Sequence, residues 1–211
     1  MTFAFTRFDL LSWLPRKQTL LPLAFIVVVG IALPVPGMAV VASAVVTSMM
    51  ISAPFLADER GCLDTLYGVL PISRSTVVAG RALAILVYYV LASATAVATT
   101  YAVAIVRGQS ISFELVGIAL AAGFAFIGLA MALQLPVLFR IGYSRGRLVA
   151  YLPALLVAGL LWVNQAIGLV EVEGIAVAPS LVIAGGFGLG AIGFVIGVVI
   201  AHRLYSTREL R

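Results

Sequence analysis

The sequence predicts an all-α membrane protein with six transmembrane helices, and three composition values support this fold class. Of the 211 residues, 63% are apolar and only 10% are charged, and the mean hydropathy is +1.19. Soluble domains carry about 25% charged residues, and much of their surface faces water. A soluble fold of this length cannot hide so much apolar surface. The values therefore exclude a soluble domain, a disordered chain and a nucleic-acid-binding domain, despite a pI of about 9.8.

Six apolar runs are candidates for transmembrane helices, because a bilayer core about 30 Å thick requires about 20 apolar residues per helix. The runs cover residues 18–33, 38–57, 82–106, 115–139, 148–170 and 180–201. A Pro-Val-Pro-Gly turn at 34–37 joins the first two into a helical hairpin. Pro54 and Pro136 are expected to bend the second and fourth spans. We expect one transmembrane domain over 1–211, with spans in 18–57, 82–139 and 148–201.

The basic residues predict the orientation of these spans. With six spans, one membrane face holds residues 1–17, the loops 58–81 and 140–147, and the tail 202–211. Twelve of the 13 Lys and Arg residues lie on this face, and Arg107 lies on the other. Basic residues in short loops favour the cytoplasmic side. We therefore expect a multi-pass protein of the bacterial cytoplasmic (inner) membrane with both termini in the cytoplasm.

The first 17 residues predict an interfacial helix on the cytoplasmic leaflet. Arg7 and Asp9 are expected to face water. The side chains expected to face acyl chains are Phe3, Leu10, Trp13 and Leu14. A frayed, partly buried N-terminus is the alternative.

The loop 58–81 is the longest segment predicted to lie in the cytoplasm. Apolar residues recur at helical spacing in its middle, which predicts a short amphipathic helix that Pro71 ends. These apolar residues are Leu63, Leu66, Tyr67 and Leu70. Leucines displayed on such a helix need a partner surface, either lipid headgroups or another protein.

Three parts of the chain together carry a family resemblance. They are Asp58-Glu59-Arg60-Gly61 with Leu66, then Leu70-Pro71-Ile72-Ser73-Arg74 with Val77-Val78 and Gly80-Arg81, and the terminal stretches Arg7-Phe8-Asp9-Leu10 and Tyr205-Ser206-Thr207-Arg208-Glu209-Leu210. This pattern resembles the membrane subunits of ABC-2 type transporters, in particular a small six-helix group of permeases.

The resemblance implies a permease that pairs with a second permease copy, as a homodimer or a heterodimer, and binds two copies of a cytoplasmic ABC ATPase. ATP and Mg would be bound by that partner, and no cofactor by this chain. The loop helix would be the coupling helix that docks in a cleft of the ATPase, and the N-terminal helix would be the connecting helix beside it. Closure of the ATPase dimer would rock the spans and expel a substrate.

A soluble motor can push a membrane protein only through cytoplasmic elements joined to its spans, and 58–74 is the one long element of this kind. The apolar anchor of the docking surface would be Leu63, Leu66, Tyr67 and Leu70, with Pro71 ending the helix. The rim charges that set orientation would be Asp58, Glu59, Arg60 and Arg74. A helix that lies on headgroups without a partner is the alternative.

The sequence offers no enzymatic chemistry of its own. Lys17 is the single lysine and follows Pro-Arg, so a Gly-Lys-Ser/Thr phosphate loop is impossible. One cysteine and one histidine cannot form a zinc site. No charge lies in the middle of a span, which argues against an ion-driven carrier. These features suit a transport subunit for an apolar or amphipathic substrate, such as a peptide, lipid or drug.

Polar residues and glycines within the spans are the remaining candidates. The residues that could line a substrate pathway are Tyr88, Tyr89, Gln134, Asn164 and Gln165; each could equally form an interhelical hydrogen bond or a headgroup anchor. The glycines expected to pack helices closely are Gly186, Gly190, Gly193 and Gly197. The match of Gly188, Gly190 and Gly193 to a dinucleotide motif is coincidental because it lies inside an apolar helix. The alternative function is a non-transporting membrane scaffold or immunity protein that assembles by helix packing.

Overall fold

The computed structural model describes residues 2–14, 17–33, 35, 37–61, 73–167 and 178–207. Every regular element in these ranges is helical and none is a β-strand, which agrees with the predicted fold class. The α-helices in chain order are α1 (Thr2–Trp13), α2 (Lys17–Ala32), α3 (Met38–Met50), α4 (Ala53–Gly61), α5 (Arg74–Arg107), α6 (Phe113–Ile141), α7 (Tyr143–Gly146), α8 (Leu152–Ile167) and α9 (Pro179–Ser206). A 3-10 turn over Arg147–Tyr151 leads into α8.

Within the described ranges, four helical segments are long and apolar enough to cross a membrane. They are Met38–Gly61 with 24 residues, Arg74–Arg107 with 34, Phe113–Ile141 with 29 and Pro179–Ser206 with 28. They contain the predicted spans 38–57, 82–106, 115–139 and 180–201. The predicted spans 18–33 and 148–170 correspond to α2 and α8, which have 16 residues each. A helix of that length extends about 24 Å, somewhat less than the thickness of a bilayer core.

The helix predicted over 38–57 is interrupted at Ile51 and Ser52, between α3 and α4. Pro54 explains the position of this break. Proline lacks the N–H that would bond to the carbonyl of Met50, and its ring clashes with that carbonyl in a continuous helix. In the first turn of α4, by contrast, a proline is readily accommodated.

Helix α5 begins eight residues before the predicted span and is the longest helix in the described part. Ser73 caps its start and accepts a hydrogen bond from the Thr76 N–H at 3.3 Å. Gly108 ends it in a left-handed conformation with φ 65°. At 1.5 Å per residue the helix is about 51 Å long, so it projects well beyond a bilayer core about 30 Å thick.

Two buried apolar clusters hold the helices together. The first joins α5, α6 and α9 and includes Ile85, Leu135 and Tyr205. The second joins α1, α2 and α3 to α5 and includes Trp13 and Tyr88. Helix α5 contributes to both clusters and is therefore the central element of the bundle.

Helices α6 and α9 pack with their backbones in contact, and the predicted packing glycines lie in this interface. A Cβ atom on Gly190 would lie 2.6 Å from the carbonyl oxygen of Phe124, and one on Gly193 would lie 2.7 Å from that of Gly128. The other two glycines of the set, Gly186 and Gly197, meet the backbones of Ala121 and Met131 in the same way. Side chains at these positions would force the two helices apart.

The predicted exposure of α1 is wrong at two positions. Asp9 was expected to face water and Trp13 acyl chains, but each is only 1% exposed. Asp9 forms an ion pair with Arg81 of α5, and Trp13 packs on Tyr88 of the same helix. Asp9 is therefore turned toward a charged partner on another helix, which the periodicity of α1 could not reveal, whereas Arg7 is exposed as predicted.

Gly190→Ala and Gly193→Ala are expected to lower the thermal stability of the purified protein in detergent. The added methyl group would overlap the backbone of α6, and overpacking of this kind typically costs about 1–3 kcal/mol. Gly188→Ala is the matched control, because nothing lies within 4 Å of a Cβ at that position of α9. Equal unfolding temperatures for all three variants would contradict the close approach.

Candidate functional site

Helices α1, α4, α5, α6, α7 and α9 meet at one end of the bundle. We refer to it as the loop end, because residues 62–72 connect α4 to α5 there. The arginines of the described ranges that lie at or near this end are Arg7, Arg60, Arg74, Arg81, Arg140, Arg145, Arg147 and Arg203. Arg107 lies at the opposite end, where it donates a hydrogen bond of 2.7 Å to the carbonyl of Ile31 at the end of α2.

The side chain of Arg81 lies at the centre of the loop end and is 1% exposed. Its Nη1 atom lies 2.6 Å from Oδ2 of Asp58, and its Nη2 atom lies 3.2 Å from Oδ1 of Asp9. Both carboxylates are also buried. One guanidinium group on α5 therefore holds α1 with one nitrogen and α4 with the other.

Two aromatic rings complete the surroundings of Arg81. Its guanidinium carbon lies 4.7 Å from the ring centre of Phe55 and 5.8 Å from that of Phe139. The two rings meet edge to face with their centres 4.9 Å apart. Arginine suits such a site because its planar group stacks on aromatic faces while its edge donates hydrogen bonds. The arrangement adds α6 to the elements that contact Arg81.

Neutral contacts extend the attachment of α1 to α5 on both sides of Arg81. The Thr6 hydroxyl donates a hydrogen bond of 3.1 Å to the Gly80 carbonyl. The ring of Phe5 lies close to Gly80: a Cβ atom on Gly80 would be 2.6 Å from Cδ1 of Phe5. About two turns further along α5, the rings of Trp13 and Tyr88 have their centres 5.5 Å apart. Helix α1 is therefore packed along the first half of α5.

Glu59 connects the end of α4 to the turn between α6 and α7. Its carboxylate accepts a hydrogen bond of 3.0 Å from the Ser144 N–H and another from the Ser144 hydroxyl. Gly142 sits beneath this contact with φ 78°, and a Cβ there would lie 2.8 Å from Oε1 of Glu59. The two loops at this end of the bundle are therefore linked through one side chain.

Arg74 connects the start of α5 to the end of α9. Its Nη1 atom donates hydrogen bonds to the carbonyls of Tyr205 at 3.1 Å and Ser206 at 2.5 Å. Its guanidinium carbon also lies 5.9 Å from the centre of the Tyr205 ring. A cation at the last carbonyls of a helix satisfies acceptors that lack a partner in the helix and interacts favourably with its dipole.

The residues predicted to dock a partner differ in their placement. Glu59 and Arg60 are exposed at the end of α4. Asp58 and Arg74, predicted as rim charges, turn toward the chain itself, for the reasons given above. The predicted apolar anchor and its terminating proline lie outside the described residues; they are Leu63, Leu66, Tyr67, Leu70 and Pro71.

The two tyrosines predicted as pathway residues are buried between helices. The Tyr88 hydroxyl donates to the Thr19 carbonyl of α2 at 3.2 Å, and the Tyr89 hydroxyl donates to the Leu120 carbonyl of α6 at 3.3 Å. Both tyrosines therefore form interhelical hydrogen bonds, the alternative that the sequence left open.

The amide residues predicted for the pathway are divided between the core and the surface. Gln134 is fully buried, and its Nε2 atom donates to the Ala150 carbonyl at 3.2 Å and toward the Ser48 hydroxyl at 3.4 Å. Gln165 is exposed on α8, and the side chain of Asn164 lies outside the described set. Gln134 therefore joins α6 to α3 and to the turn before α8.

An apolar groove lies between α2 and α3. It encloses about 540 Å³, within the range of small-molecule sites. The residues that line it are Leu21, Pro22, Phe25, Val29, Met38, Val41, Ala42, Val45, Val46, Met49 and Met50. Unbranched methionines adapt to ligands of varied shape. In the described part of the chain, no three His, Cys, Asp or Glu residues are grouped so as to hold a metal ion.

Sequence reasoning missed the contacts of Asp9, Arg81 and Ser144. Arg81 was part of the recognised pattern but had no assigned role. The one sequence signal for Arg81 is its position directly before the apolar run 82–106. It also lies seven residues after Arg74, a spacing that places both arginines on the same side of a helix.

Comparison with known proteins assigns the chain to a family. The model of the ABC-2 family transporter protein matches residues 9–206. No curated protein and no solved structure matches the chain significantly. The match begins at the carboxylate that binds Arg81 and ends at the last residue of α9, so it covers the described helices except for the first seven residues of α1. The chain belongs to the ABC-2 transporter family and is a multi-pass membrane permease component of that family.

Proposed function

We propose that the chain is the membrane-spanning permease subunit of an ABC exporter that moves an apolar or amphipathic substrate. The family match over residues 9–206 is the observation that carries this proposal. Association with an ABC ATPase is implied by the family. In the proposed complex, two permease copies bind two ATPase subunits, which bind ATP and Mg and perform the hydrolysis.

The proposed topology is a single transmembrane domain of six spans with both termini in the cytoplasm of a bacterium. Eight arginines of the described ranges lie at or near the loop end and one at the opposite end, the asymmetry that basic residues show toward the cytoplasm. Helices α2 and α8 serve as the two shorter spans. Phe3 on α1 is 82% exposed, which supports contact of that helix with the membrane–water interface.

The proposed site of ATPase docking is the predicted amphipathic helix in the middle of the loop 58–81, which would be the coupling helix. Helix α4 leads directly into this loop, and the contacts of Asp58 and Glu59 connect it to α5 and to the α6–α7 turn. Displacement of the loop would therefore reach several spans at once. The rim of this surface would retain the exposed Glu59 and Arg60.

The proposed substrate class follows from the groove between α2 and α3. Its lining is apolar, and the lining side chains of Leu21, Phe25 and Val41 are exposed. An acyl chain or the apolar face of a peptide fits such a lining, whereas a strongly polar solute would lose its hydration without compensation.

Leu66→Asp and Leu70→Asp are each expected to abolish co-purification of the ABC ATPase with the chain. A carboxylate in the centre of an apolar docking cleft would be desolvated without a partner. Thr65→Asp is the matched control, because helical spacing places residue 65 on the opposite face of the predicted helix. Retention of the ATPase by both leucine variants would show that docking occurs elsewhere.

Single-cysteine labelling tests the orientation. In a Cys62→Ser background, Ser110→Cys is expected to react with a membrane-impermeant maleimide in intact cells, because Ser110 lies at the Arg107 end and is exposed. Thr207→Cys, at the exposed end of α9, is expected to react only after the membrane is permeabilised. The reverse pattern would invert the topology and remove the loop 58–81 from the reach of a cytoplasmic ATPase.

A further inference from the structure

We propose that Arg81 is a positioning residue that transmits movement of the docking loop to the membrane helices, by holding α1 and α4 against α5 through Asp9 and Asp58. This inference rests on the proposed function, because it concerns how the same loop acts on the spans. Arg81 contacts neither substrate nor ATPase in this role.

The first support is the position of the ion pairs at the base of the loop. Asp58 lies in the last turn of α4, four residues before the segment 62–72 begins. Arg81 lies two turns into α5, which begins just after that segment. The contact of 2.6 Å between them therefore ties the two ends of the loop together. A force on the loop then moves α4 and α5 as one body.

The second support is the connection to the other helices at this end. Nη2 of the same guanidinium holds Asp9, so α1 moves with α4 and α5. Arg74, at the start of α5, holds the last carbonyls of α9. Glu59 holds the turn after α6 through Ser144. Among these links, the one through Arg81 is the most deeply buried and is least screened by salt.

The third support is that the geometry requires arginine rather than any cation. The two carboxylates are bound by two different nitrogen atoms of one rigid, planar group. A lysine offers one nitrogen on a flexible stem, so it can keep the positive charge but cannot hold both helices in this geometry. Lysine would also lose the stacking on Phe55 and Phe139. Arg81→Lys therefore keeps the positive charge but removes the geometry that positions both helices.

A role of Arg81 in transmission and a role in stability alone predict different effects of substitution. A residue that only stabilised the fold would, on substitution, lower the yield of folded protein and the binding of the ATPase together. Substitution of a positioning residue would leave the ATPase bound and hydrolysing ATP, while the far ends of the spans would no longer respond to nucleotide. The response of the opposite end to nucleotide is therefore the informative measurement.

The experiment uses the full chain in complex with its co-purified ABC ATPase in lipid nanodiscs. The reporter is Ser110→Cys in a Cys62→Ser background, labelled by a maleimide with and without ATP and vanadate. Ser110 follows the end of α5, about 40 Å along that helix from Arg81. In the parent complex, nucleotide is expected to change the labelling rate about fivefold, the lower end of couplings between distant sites.

Arg81→Lys is expected to retain ATPase binding and ATP hydrolysis but to lose this change in labelling rate. Arg140→Lys is the matched control, an exposed arginine at the same end of the bundle, and should respond as the parent does. A full response of Arg81→Lys would overturn the inference while leaving the proposed function intact. Absence of a bound ATPase in the parent complex would overturn both.

Asp58→Asn is the second variant, and it decides the question if Arg81→Lys does not fold. Asparagine keeps the shape of the side chain and removes its charge. The bond from Arg81 to residue 58 is therefore weakened, and no cavity is created. Loss of the labelling response with retained ATP hydrolysis supports the inference. An unchanged response, or joint loss of folding and ATPase binding in both variants, overturns it.

Discussion

Hydrocarbon offers no hydrogen-bond partners, so each polar group of a membrane-spanning chain has to be satisfied within the protein. Several hydroxyl groups of the described spans meet this constraint through nearby carbonyls. The hydroxyls of Thr47 and Thr100 return to carbonyls one turn earlier in their own helices, at 2.8 Å each. The hydroxyls of Tyr88 and Tyr89 reach carbonyls of neighbouring helices. In the described ranges, the charged groups that bridge helices lie toward the two ends of the bundle, and most of them lie at the loop end.

The features that the sequence predicted are those determined by residues close together in the chain. Hydropathy and length located the apolar helices, and Pro54 predicted a bend in the second span, close to where the structure has the break between α3 and α4. The contacts it could not predict join residues that lie far apart in the chain. Asp9 and Arg81 are 72 positions apart, so the amphipathic pattern of α1 assigned Asp9 to water. Likewise, the glycines of α9 identify a face that tolerates close approach, but their spacing does not identify α6 as the partner.

The helices differ in how they can carry a displacement. Helix α5 runs for 34 residues without a proline, and its far end is fastened to α2 by the bond from Arg107 to Ile31. Helix α6 contains Pro136, and α3 is separated from α4 by the break at Ile51 and Ser52. An unbroken helix transmits a push along its axis, whereas an interrupted one can bend. A movement at the loop end would therefore reach the opposite end along α5, while α3 and α4 could change their mutual angle.

A buried ion pair by itself is weak support for stability, because well-packed apolar residues of similar volume often stabilise a fold at least as well. The Arg81 cluster therefore needs a reason beyond stability. Apolar packing between α1, α4 and α5 would permit sliding, since dispersion contacts have little directionality. Two charge-assisted hydrogen bonds from one planar group fix both the distance and the angle between these helices. That directional constraint would be useful at the base of the proposed docking loop, where sliding would dissipate a movement before it reached the spans.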